Sequence, residues 1–154
     1  MVLSRRKQCL LHKEAGMIQT WLDRFDPPYP GGHRRVRVHA SGGFLVVESL
    51  PLPDGYAPDY LDVLLLTEQF PDRPPIGIYM LNKGNELLTA QIARRLNVFN
   101  NKAFHEAKAI PGYTWACLIY QDNSWRYNFS KANSGDNLTK FLEFFHALLK
   151  KEVA

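Results

Sequence analysis

Cysteine is scarce: Cys9 and Cys117 are the only two among 154 residues, far apart and in unlike surroundings. Two such thiols cannot build a disulfide framework or a zinc ligand set, and their scarcity suits a reducing cytoplasm. Long apolar runs are also missing. The longest, such as Val63 to Leu66, fit a buried strand and fall far short of a bilayer span. Arg5, Arg6 and Lys7 are followed by Cys9, Leu10 and Leu11 mixed with His12, Lys13 and Glu14, too short and polar for a signal-peptide core. The expectation is a cytoplasmic protein without a membrane partner. No internal repeat, low-complexity tract or long linker is present. Charge of one sign is not concentrated either: 19 basic against 15 acidic residues leave a net +4, too dilute to indicate nucleic acid. No metal and no cofactor are expected.

What is present suits one globular domain spanning 1–154, with 45% hydrophobic residues and enough length to bury a core unaided. Residues 3 to about 25 read as a helix, with Leu3, Leu10, Leu11, Met17, Ile18, Trp21, Leu22 and Phe25 near one face and Gly16 weakening its middle. Pro27 to Gly32 marks a turn and the best internal boundary. Val36, Val38 and Ala40 then alternate with Arg35, Arg37 and His39, and Gly42-Gly43 turns the chain into Phe44 to Leu50. Tyr60 to Thr67 and Ile76 to Leu81 complete an antiparallel meander of four strands, and Arg34, Arg35 and Arg37 read as its solvated face. Residues 86 to 99 read as a further helix, and Tyr113 to Tyr120 as a short extended apolar piece around Cys117. The last helix is the clearest element, with Asp136 as N-cap, Leu138, Phe141, Leu142, Phe145, Leu148 and Leu149 as its stripe, and Lys150-Lys151 at its C-terminal end. The order predicts an α+β domain with helices packed on one face of the sheet.

Three ordered features are more particular. Phe70-Pro71-Asp72-Arg73-Pro74-Pro75 falls between the third and fourth strands, where prolines fix φ, withdraw amide donors and stop strand pairing. Cys117-Leu118 is followed by Trp125 eight positions after the cysteine, and the final helix comes next. Together they resemble the ubiquitin-conjugating-enzyme (UBC-like) superfamily, with its aromatic-Pro-x-x-Pro-Pro signature and its Cys-Leu and Trp spacing. Leu52-Pro53-Asp54-Gly55-Tyr56 leading into Leu61-Asp62-Val63 is similar to bacterial members that accompany ubiquitin-like proteins and activating enzymes.

The resemblance implies a UBC-like fold and a transferase whose Cys117 accepts a ubiquitin-like protein as a thioester from an activating enzyme and passes it to an amine. It implies those two proteins as partners, with a deconjugating metallopeptidase as a further member of the pathway. A thiolate is both strong nucleophile and good leaving group, so transthiolation needs no adjacent strong base. Cys117 read alone, between Ala116 and Leu118, also fits a small buried hydrophobe.

The family's His-Pro-Asn is not retained. The corresponding stretch reads Phe104-His105-Glu106-Ala107, so His105, 12 positions before Cys117, is the second candidate catalytic residue, against a loop histidine bonded to backbone. Asn100 or Asn101 are candidates for the missing amide. Asp122 is a candidate for positioning an incoming lysine, against an exposed loop carboxylate. Trp115, Trp125 and Tyr127 read as packing residues. The alternative function is a catalytically inactive UBC/RWD-like binding or scaffold module.

Overall fold

The structure is a computed structural model that describes residues 5–25, 29, 34–75, 77–96, 110–116 and 125–153. Its first element, α1 (Arg5–Asp23), forms because Leu11, Glu14, Ile18 and Leu22 recur at helical spacing and are all buried. Gly16 is exposed, and an added Cβ there would meet nothing within 4 Å. The helix is followed by strands β1 (Val36–Val38), β2 (Phe44–Pro51), β3 (Tyr60–Leu66) and β4 (Ile78–Leu81), then α2 (Glu86–Leu96), β5 (Tyr113–Ala116) and α3 (Leu138–Val153). A 3-10 turn at Ala132–Ser134 precedes α3.

The sheet is an antiparallel meander in the order β1-β2-β3-β4-β5. Among the described residues it has five strands, one more than the sequence pattern predicts. The short apolar piece at Tyr113–Ala116 is long enough to pair with β4, Ile78 opposite Ala116 and Leu81 opposite Tyr113. The pleat divides β3 to β5 between two faces. Leu61, Val63, Leu65, Ile78, Met80 and Ala116 join α1, α2 and α3 in the main core, whereas Leu64, Tyr79 and Trp115 pack on the reverse face. The helix α3 contributes Leu138, Phe141, Leu142, Phe145 and Leu149, all fully buried, each worth about 1.5–3 kcal/mol of apolar burial.

One register shift explains a residue that sequence patterning misplaces. Between Val47 and Leu50 the β2–β3 pairing slips by one residue, and Ser49 takes φ 55. A bulge of this kind leaves peptide groups without ladder partners. Asp62 Oδ1 accepts the Ser49 amide at 2.8 Å, and Arg35 Nη1 donates to the Ser49 carbonyl at 2.8 Å. Arg35 is therefore only 2% exposed, with its guanidinium 4.5 Å from the Tyr29 ring centroid, while Arg34 and Arg37 are exposed. The solvated arginine face thus loses its middle member to the bulge.

The start of α3 brings a second correction. Asn137, not Asp136, is the N-cap: Asn137 Oδ1 accepts the Lys140 amide at 2.8 Å, and Asp136 Oδ2 instead accepts the Arg126 amide at 2.7 Å. The Leu138 amide is bonded by Glu14 Oε1 of α1 at 2.7 Å, 124 residues away. Glu14 is 0% exposed, and its carboxyl and the Tyr127 hydroxyl are near enough to act on each other's ionisation, although Oε2 and that hydroxyl do not form a hydrogen bond of good geometry. Burial first of all pushes the Glu14 carboxyl up to about 7. Among the described residues no helix is long and apolar enough to cross a membrane.

Candidate functional site

The frame around the Cys117 region starts from the proline motif. Two backbone hydrogen bonds shape its start: the Phe70 amide donates to the Thr67 carbonyl and the Arg73 amide to the Gln69 carbonyl. The Phe70–Pro71 peptide is cis, Phe70 is buried, and Pro74 and Pro75 are buried as well. A stiff, donor-poor segment between β3 and β4 is what the proline spacing predicts.

Two long-range contacts tie that segment to the chain on either side of Cys117. The first is at Gly77, with φ +71. A Cβ there would run into the Ala116 carbonyl oxygen and lie 2.6 Å from the Trp115 indole nitrogen. Only glycine lets the backbones approach this closely. Ala116 is the last residue of β5 and directly precedes Cys117. The second contact is at Trp125, which is 5% exposed and whose indole Nε1 donates to the Pro71 carbonyl at 2.8 Å across 54 residues. Tyr127 continues the contact, its ring 5.2 Å from that of Phe70 in an edge-on arrangement. Both flanks of 117–124 are therefore fastened to the single segment Phe70 to Gly77.

The expected packing roles of Trp115 and Trp125 hold, at 3% and 5% exposure. Tyr127 is half-buried, and its hydroxyl is pushed up to about 12 by burial and then by the charge of Glu14. Cys117, His105, Asn100, Asn101 and Asp122 lie outside the described residues. Cys9, the other thiol, is exposed on α1. Among the described residues no group of three His, Cys, Asp or Glu side chains is placed to hold a metal ion. The close approach at Gly77 and the bond to the Pro71 carbonyl are contacts that residue types alone do not reveal. The one sequence signal for Gly77 is its place just beyond Pro74-Pro75, where a turn must re-enter a strand.

Comparison with family models, with curated proteins and with solved structures finds no match.

Proposed function

We propose that this chain is a ubiquitin-conjugating-enzyme-like protein that accepts a ubiquitin-like modifier as a thioester on Cys117 and transfers it to an amine. The observation that carries the reading is the joint anchoring of Ala116 and Trp125 to Phe70–Gly77. The proline motif and the Trp spacing are independent features of the sequence, and the Trp125 to Pro71 hydrogen bond makes them neighbours in space. A chain that only needed tight turns would have no reason to join them. An acceptor cysteine gains from such a frame, because fixing both flanks of its segment limits the freedom lost when two proteins dock on it.

The chemistry is balanced without a further cofactor. The Cys117 thiolate attacks the carbonyl of the thioester held on the activating enzyme, a new C–S bond forms, and the activating enzyme's thiolate leaves. An amine then attacks the Cys117 thioester, the C–N bond forms, and the Cys117 thiolate departs as the amine loses its proton. ATP enters only through the activating enzyme. His105 is proposed as a second catalytic residue, shaping the site where the family carries His-Pro-Asn.

The test is incubation with ATP, an activating enzyme and its ubiquitin-like protein. A single adduct removed by dithiothreitol is expected, lost in Cys117→Ala and converted to a dithiothreitol-resistant ester in Cys117→Ser. No adduct on the wild-type chain, with the activating enzyme shown to charge itself, sinks the proposal.

A further inference from the structure

The strand β1 is an edge of the sheet, and its hydrogen-bonding pattern exposes part of its backbone. Glu48 donates its amide to the Arg35 carbonyl and His39 donates its amide to the Phe44 carbonyl. Residues in register with these pairs, Arg37 with Val46 among them, face β2. By the alternation of an antiparallel ladder, the N–H and C=O groups of Val36 and Val38 point away from the sheet. Among the described residues no strand pairs with that edge. Just before β1, the Arg35 amide is taken by Gln19 Oε1 of α1 at 2.8 Å.

Between α1 and this edge lies a cavity of about 520 Å³. Ala15 and Gly16 form its helix side, Val36 and Val38 its strand side, and Arg34, Arg37 and His12 stand at its rim. Gly16 leaves open space where a side chain would project. Arg37 is paired with Glu48 at 2.6 Å but is still 69% exposed, and Arg34 is exposed. The groove thus offers four outward backbone groups, a floor of small and branched side chains, and a cationic rim.

We propose that this groove is a docking site for an extended acidic peptide segment of a partner protein, added to β1 as a sixth strand. Backbone pairing with Val36 and Val38 supplies the binding energy common to strand addition. On the face of the added strand turned to α1, a carboxylate meets Arg34 and a side chain enters the space above Gly16, while a carboxylate on its other face reaches Arg37. The same arginines discourage pairing with a second basic edge, which disfavours self-association through β1. The site is at the opposite edge of the sheet from β5 and does not depend on the conjugating reading.

The experiment uses the full ¹⁵N-labelled chain titrated with acetyl-Glu-Val-Glu-Val-Glu-amide and, separately, acetyl-Lys-Val-Lys-Val-Lys-amide. The acidic peptide should shift the Val36, Val38 and Gly16 amide resonances saturably and slow hydrogen exchange at Val36 and Val38. The basic peptide should bind at least tenfold more weakly. Gly16→Trp should abolish the response while Gly16→Ala retains it, both variants keeping the wild-type circular dichroism. Absence of shifts at Val36 and Val38, equal responses to the two peptides, or binding that survives Gly16→Trp would each overturn the proposal.

Discussion

Gly77→Ala is expected to cost the fold about 3 kcal/mol or more, whereas Gly112→Ala costs about 1 kcal/mol. Both glycines have positive φ, +71 and +85, so both substitutions bear the left-handed backbone penalty. Only Gly77 has a backbone carbonyl and an indole where the new Cβ must go; at Gly112 nothing lies within 4 Å. The difference between the two variants therefore isolates the close approach of the proline segment to the end of β5. A carbonyl oxygen anchored in a strand ladder cannot swing aside as a flexible side chain would, so relief requires β5 or the 74–77 turn to shift. Urea unfolding of the two variants is the measurement. Equal losses would show that the Gly77 to Ala116 contact contributes nothing, and would remove one of the two fastenings on which the functional proposal rests.

The second large effect is one of pH. A fully buried carboxyl with one oxygen on the Leu138 amide and the other beside the Tyr127 hydroxyl without a hydrogen bond of good geometry is costly to ionise. The folded-state value of Glu14 stands near 7, above the ordinary 4.5. Because the shift is upward, the stability Glu14 contributes is fully present below pH 4.5 and is lost as pH rises through 7. The slope approaches 1.4 kcal/mol per pH unit in that window, for a total of about 3 kcal/mol. Glu14→Gln keeps an oxygen for Leu138 and has no proton to lose, so its stability should be flatter over the same range. His146 works in the opposite direction. Burial, and then Lys150, lower its pKa, so its contribution is lost on acidification. The informative quantity is thus the wild-type stability minus that of Glu14→Gln, from urea titrations at pH 5, 6, 7 and 8. That difference should fall between pH 5 and 7 and level off by pH 8; a constant difference would mean that Glu14 is ionised throughout.

These two residues also mark where the sequence was and was not informative. The helices α1 and α3 and strands β1 to β4 were legible because burial follows simple periods, such as Leu138, Phe141, Leu142 and Phe145 on one face of α3. Glu14 was legible in principle. It falls in phase with Leu11, Ile18 and Leu22, and a carboxyl in an apolar stripe must find a donor. Its donor, the Leu138 amide, is a matter of tertiary packing that no local pattern specifies. The same holds for the N-cap: Asp136 is as good a capping residue as Asn137, and its engagement with the Arg126 amide decides between them. Arg35 was assigned to solvent because alternation with valines is what an amphipathic strand shows; the bulge at Ser49 that draws it inward leaves no mark in composition. At the site, the proline motif and Trp125 were readable separately, and the bond between them was not.

The account turns on Cys117 being an accessible acceptor thiol, and alkylation of the folded chain tests that without any partner protein. Cys9 is exposed on α1 and serves as an internal reference in the same molecule. Iodoacetamide treatment of the native protein, quenched over time and read by peptide mass spectrometry, should label Cys117 at a rate comparable to or faster than Cys9. Labelling of Cys9 alone, with Cys117 reacting only after denaturation, would contradict the account and leave the chain a binding or scaffold module.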